Sequence, residues 1–166
     1  KNNLFDGTFW TTYELTNNSN YHYSHGNDKN LSDILASLKL TEENYETLYE
    51  FRFDPHNNYM KNQNITLNYE NRIGNYKLSY LDQKNKTEDI IISDKESLNY
   101  RFDSKELFKY SKISYFGLYD IKKSTNTESG ISYMYFDECF GVNLDFKRNS
   151  YSEETLKPQD IMTLMF

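Results

Sequence analysis

FGVNLDFK, residues 140–147, alternates apolar and polar residues at every step: Phe140, Val142, Leu144 and Phe146 interleave with Gly141, Asn143, Asp145 and Lys147. Successive strand side chains point to opposite faces, so this period of two predicts a β-strand with one apolar and one polar face. The same rhythm recurs along the chain. Tyr49, Phe51 and Phe53 alternate with Glu50 and Arg52, and Ile65, Leu67 and Tyr69 with Thr66 and Asn68. Tyr76, Leu78 and Tyr80 alternate with Lys77 and Ser79, and Leu98, Tyr100 and Phe102 with Asn99 and Arg101. Segments 88–93, 112–121 and 130–137 add further strands, and clusters of Asn, Asp, Gly or Lys bound each run. The connections are mostly short, which predicts antiparallel neighbours in a meander. Within 112–121, Ile113, Tyr115 and Tyr119 take one face and Phe116 and Leu118 the other, and Gly117 reads as a bend that lets the sheet curl.

Two regions break the period. Residues 16–30 are polar and turn-rich and read as a long loop after a first strand. Leu31, Ile34, Leu35 and Leu38 then fall at i, i+3, i+4 and i+7, the spacing of one helical face. A second helix is expected from Thr41, with Glu42 and Glu43 in its first turn and Tyr45, Leu48 and Tyr49 on its buried side. Near the end, Ser152-Glu153-Glu154-Thr155 is a helix-start signature and Pro158 a breaker, and the tail DIMTLMF is either a strand or a helix. The expected architecture is therefore all-β, a single domain over residues 1–166: an antiparallel up-and-down barrel of about nine strands with a helical insertion after the first. A two-sheet β-sandwich is the alternative.

Composition supports an ordered domain. A mean hydropathy of −0.90 would suit a disordered chain. Sixteen Tyr and eleven Phe supply the burial that such chains lack. At 166 residues the chain is long enough to bury roughly 70% of its unfolded surface without covalent staples. A net charge of −6 with scattered basic residues argues against nucleic acid and anionic membrane surfaces as partners. No apolar run reaches the length of a membrane-spanning helix, so no transmembrane segment is expected. The single cysteine, Cys139, rules out an intrachain disulfide. That suits a soluble cytoplasmic or stromal protein and also agrees with secretion.

Catalytic motifs are lacking. There is no Ser-centred elbow, glycine-rich phosphate loop or redox pair. Asp137 and Glu138 precede Cys139, and neighbouring carboxylates oppose thiolate formation, so Cys139 reads as a small, partly buried residue. His22 and His25 could hold a metal with Asp28, but two histidines in a solvated loop are the simpler reading.

The first strand, Phe5-Asp6-Gly7-Thr8-Phe9-Trp10, resembles that of the calycins, the lipocalins and fatty-acid-binding proteins, with Phe9 at the place of the lipocalin Gly-x-Trp tryptophan. Lys147 or Arg148, after the last clear strand, stands where these proteins carry an arginine across the barrel base. Trp10, Ser32-Asp33-Ile34 and Asn143-Leu144-Asp145-Phe146-Lys147-Arg148 are also similar to the S-type phycobiliprotein lyases. The resemblance implies binding of an apolar or aromatic small molecule in the barrel. Alternatively, it implies a bilin chaperone or lyase that delivers a linear tetrapyrrole, as carried ligand, to a cysteine of an acceptor protein. That is the one enzymatic class in view, and no other cofactor is implied.

The ligand-contacting residues expected on either reading are Trp10, Tyr69, Tyr76, Tyr80, Tyr100, Arg101, Tyr115, Asp120, Tyr133, Tyr135 and Arg148. The tyrosines fall mostly on the strand faces expected to point inward, where their rings line a cavity or fill a packed core. Arg52 and Arg101 lie on the opposite face, and would hold a ligand carboxylate if the faces were inverted. Asp120, with Asp137, would serve the pyrrole nitrogens. A β-sandwich that binds a protein through exposed tyrosines is a further reading.

Overall fold

The computed structural model describes residues 4–13, 31–87, 90–105, 109–150 and 158–166. Among these the protein is all-β, with no helix. The strands are β1 (Leu4–Trp10), β2 (Ile34–Thr41), β3 (Tyr45–Asp54), β4 (Tyr59–Glu70), β5 (Gly74–Thr87), β6 (Ile90–Ser104), β7 (Ser111–Asp120), β8 (Thr125–Phe136), β9 (Gly141–Asn149) and β10 (Gln159–Met165). They form one ten-stranded antiparallel sheet in sequence order, with β1 and β10 at its ends. The tail is thus a strand. The expected loop over 16–30, His22, His25, Asp28 and the signature at 152–155 lie outside the described residues.

The helical insertion is not seen. Residues 34–41 and 45–54 are β2 and β3, and β2 is paired on both sides, by β1 and β3. The leucine spacing was ambiguous: Ile34, Ala36, Leu38 and Leu40 also alternate, and they lie opposite Phe53, Phe51, Tyr49 and Thr47. Two hydrogen-bonded neighbours outweigh a helical propensity of a few tenths of a kcal/mol per residue.

The Asn and Asp clusters close the hairpins by one device. Asp54 Oδ1 accepts the amides of His56 and Asn57 at 2.9 and 3.1 Å, and Asn71 Oδ1 those of Ile73 and Gly74 at 2.8 and 3.0 Å. Asp137 Oδ1 accepts those of Cys139 and Phe140, both at 2.9 Å, and Asp120 Oδ1 that of Lys123 at 3.0 Å. These side chains imitate a backbone turn and so reverse the chain. Asn58 and Ser124, at φ 50° and 51°, complete two of the turns in the left-handed region.

Contacts divide the chain into two compact units, Lys1–Thr66 with Leu81–Glu96, and Leu67–Tyr80 with Ser97–Phe166. In the first, the register puts Phe5, Gly7 and Phe9 on one face with Leu40, Leu38 and Ala36, and Asp6 and Thr8 on the other with Lys39 and Ser37. In the second, one face carries the cross-strand row Phe102, Tyr115, Ile131, Phe146 and Met162, and the other the row Asp103, Ser114, Ser132, Asp145 and Thr163. Gly117 lies inside β7, one residue before the register against β8 shifts between Leu118 and Tyr119. It lies opposite Tyr100, whose ring occupies the space a Cβ would need.

Burial is inverted relative to a water-soluble core. Among the described residues no hydrophobic side chain is buried, and the buried polar or charged residues are Ser32, Asp33, Asp54, Thr66, Asp82, Ser97, Ser104 and Ser111; Gly74, Gly117 and Gly130 are buried as well. Among the described residues, no helix is long and apolar enough to cross a membrane.

Candidate functional site

The tyrosine-rich face of the second unit gathers part of the expected ligand set. Tyr69, Tyr76, Tyr100 and Tyr115 border a shallow depression of about 300 Å³ with Leu67, Leu78 and Phe102, and Lys77 and Arg101 complete its rim. Alternation along β4 to β7 puts these rings on one side. Tyr69 and Tyr76 lie 5.9 Å apart, Tyr76 and Phe102 4.8 Å, and Tyr100 and Tyr115 5.7 Å, all in tilted contact. Such pairs add about 0.5–1.5 kcal/mol each beyond the area they cover.

The other expected residues are elsewhere. Tyr80 is on β5 with Tyr76 and Leu78 but does not border the depression. Tyr133 and Tyr135 share the face of Tyr115 on β8; their hydroxyls meet Ser111 Oγ at 3.1 Å and Asp137 Oδ2 at 3.0 Å. Arg101 is held in a bidentate pair with Asp103, at 2.7 and 2.8 Å. Asp120 serves a turn, and Arg148 pairs with Asp160 across β9 and β10. Trp10 belongs to the first unit, on edge strand β1, and is 66% exposed. Cys139 is exposed at the β8–β9 turn rather than partly buried, because the turn bonds to Asp137 use its backbone and leave the thiol outside.

The polar faces hold what the sequence reading missed. In the first unit Asp33, only 2% exposed, accepts Arg52 Nε and, with both oxygens, Lys61 Nζ at 3.0 Å; Lys61 also reaches Asp54 at 3.2 Å. Ser32 Oγ accepts the Thr12 amide and hydroxyl, both at 2.9 Å, and His56 Nε2 donates to the Leu31 carbonyl at 2.7 Å. In the second unit Ser114 Oγ donates to Asp103 at 2.7 Å and Asn143 Nδ2 to Asp145 at 2.7 Å, and Lys147 pairs with Glu128 at 2.9 Å. Charged groups are expensive to bury unless paired and hydrogen-bonded, and these are. The available signal was the run of Ser, Thr, Asn and Asp at every second position opposite the aromatic residues.

No group of His, Cys, Asp or Glu among the described residues is placed to hold a metal ion. Two turn acids have a shifted titration: at Asp54 burial opposes ionisation, but the Asn57 hydrogen bonds and Lys61 outweigh it and bring the carboxyl down to about 2, and Asp137 is lowered as well. The Cys139 amide, the Tyr135 hydroxyl and the Phe140 amide hold its carboxyl below the ordinary aspartate value. Compared with known proteins, the chain matches no family model and no curated sequence.

Proposed function

We propose that these strands form the wall of a membrane-spanning β-barrel, with the tyrosine-rich face toward lipid and the ion-paired face toward an aqueous interior. The observation that carries the reading is the inverted burial: among the described residues the buried side chains are polar, Asp33 and Asp54 among them ion-paired, while many large apolar side chains are exposed and none is buried. Soluble monomers rarely expose a contiguous apolar surface of more than a few hundred Å², and larger ones mark a partner or a membrane. A barrel wall has apolar residues outside, polar residues inside, and aromatic residues near both membrane interfaces. Strands β3 to β9, at 9 to 15 residues, reach the length of about 9–11 residues that a tilted spanning strand requires. Because lipid-facing and interior residues alternate, their hydropathies cancel. A chain of mean hydropathy −0.90 with no long apolar run is therefore compatible with such a wall. Hydrocarbon tolerates no open sheet edge, so in this reading neither β1 nor β10 is left unpaired in the membrane.

Flotation with phospholipid vesicles tests this. The refolded protein is expected to float with the vesicles, keep its β-structure and resist extraction by high salt. A monomer that stays in the aqueous fraction with the same β-content would refute the reading.

The depression supports a second reading, in which the tyrosine-rich face is the inside of a calycin-like barrel and takes an apolar or aromatic small molecule. A bilin carried to an acceptor protein would use the same surface. Such a protein is stabilised by about 2.7 kcal/mol at a hundredfold excess of ligand over its Kd. Thermal shift with a long-chain fatty acid and a linear tetrapyrrole distinguishes this reading from the first.

A further inference from the structure

Where β7 to β10 are in register, the tyrosine-rich face carries the charged pair of Arg148 and Asp160. Arg148 and Asp160 are directly opposite in the β9–β10 register. Arg148 Nε donates to Asp160 Oδ1 at 2.7 Å and Nη2 to Oδ2 at 2.9 Å. Their row continues through Ser129 and Gly117, which carry little or no apolar side chain, to the amphipathic Tyr100. The next row on the same face is Tyr115, Ile131, Phe146 and Met162, and the one after it Ile113, Tyr133, Leu144 and Leu164. Across β9 and β10 the face thus passes from charged to apolar within one row.

The pair's own stability does not explain its position. Its side chains are 55% and 48% exposed, and ion pairs this accessible to water contribute about 0–1 kcal/mol. On a lipid-facing wall an arginine costs roughly 2–4 kcal/mol at the bilayer midplane and about 0–1 near the interface, so depth decides where it is tolerated. The bidentate contact uses one edge of the guanidinium and leaves Nη1 free to donate elsewhere. Met162, at 75% exposure, continues the apolar surface directly beside the pair, so an anion bound there lies against hydrocarbon.

We propose that the Arg148–Asp160 pair lies in the lipid headgroup layer, with Arg148 donating to a lipid phosphate. The edge of the hydrocarbon then crosses β9 between Arg148 and Phe146, and β10 between Asp160 and Met162. The proposal rests on the membrane-wall reading. Its test uses vesicles of phosphatidylcholine brominated either near the headgroup or near the chain end, with Trp10→Phe as background so that one introduced tryptophan reports. In Met162→Trp, the shallow bromines are expected to quench more than the deep ones; in Leu164→Trp, the order reverses. Adding Arg148→Gln to Met162→Trp is expected to shift quenching toward the deep bromines, as the anchor is lost. If both tryptophans are quenched but the deep bromines dominate at 162, or if Arg148→Gln changes nothing, the proposal fails and the wall reading stands. If neither is quenched by either lipid, the wall reading fails.

Discussion

Ile131 and Met134 form a matched pair for testing which face meets lipid. Both are on β8, both are apolar, and both are 47% exposed. They lie on opposite faces: Ile131 between Tyr115 and Phe146, Met134 between Lys112 and Asn143. In water, replacing either with arginine forfeits about half the burial of a side chain worth roughly 1.5–3 kcal/mol, so each substitution costs about 1 kcal/mol. Met134→Arg adds a like-charge contact with Lys112 of about 0.2–1 kcal/mol, which would make it the worse of the two. In a bilayer the order inverts. Ile131→Arg then sets a cation in hydrocarbon at a cost of about 2–4 kcal/mol, while Met134→Arg faces the aqueous interior. A difference near 3 kcal/mol changes the unfolding equilibrium more than about a hundredfold. Urea unfolding of both variants, in phospholipid vesicles and in buffer, measures it. Equal losses in vesicles, or a larger loss for Met134→Arg, would refute the assignment of faces.

Other outcomes follow from individual contacts. Asp33→Ala leaves Arg52 and Lys61 without their shared buried carboxylate and is expected to cost about 3–5 kcal/mol in chemical denaturation, whereas Asp6→Ala on the exposed edge strand is expected to change little. Gly117→Ala drives a methyl into the Tyr100 ring and should cost about 1–3 kcal/mol, with Tyr100→Ala in the same chain recovering part of the loss as a measurable coupling energy. The carboxyl of Asp137 is depressed in the folded protein. Its stabilisation of the β8–β9 turn is therefore full above the unfolded value of about 3.9, and is lost as pH falls through the lower folded value. Amide exchange at Cys139 and Phe140 should accelerate below that pH, and Asp137→Asn should abolish the pH dependence.

The strands were legible because alternation survives any environment: the runs around Tyr49, Ile65, Tyr76, Leu98 and Phe140 all lie within or overlap β3, β4, β5, β6 and β9. The segment 31–49 was misread because its leucines fit periods of both 3.6 and two, and only pairing to β1 and β3 separates these. The sense of the faces was not legible at all. An alternating strand has the same pattern whether its apolar side meets a core or a lipid, and only the buried Asp33, Asp54 and Asp82 opposite uncovered leucines and tyrosines favour one. The pairing of Asp33 with Lys61, 28 residues apart, has no local signal in the sequence. Arg101 stood out among apolar alternates and Arg148 through the calycin resemblance, but their partners Asp103 and Asp160 emerge only from the side-chain geometry.

The most direct test of the central claim is a nitroxide scan along β8 and β9, one label per residue from Gly130 to Met134 and from Val142 to Lys147, in phospholipid vesicles. The account predicts accessibility to oxygen, which concentrates in the bilayer, peaking at Ile131, Tyr133, Leu144 and Phe146, and accessibility to a water-soluble paramagnet peaking at Ser132, Met134, Asn143 and Asp145. Accessibility to the aqueous reagent on both faces, or oxygen maxima on the Ser132 and Asp145 side, would contradict it.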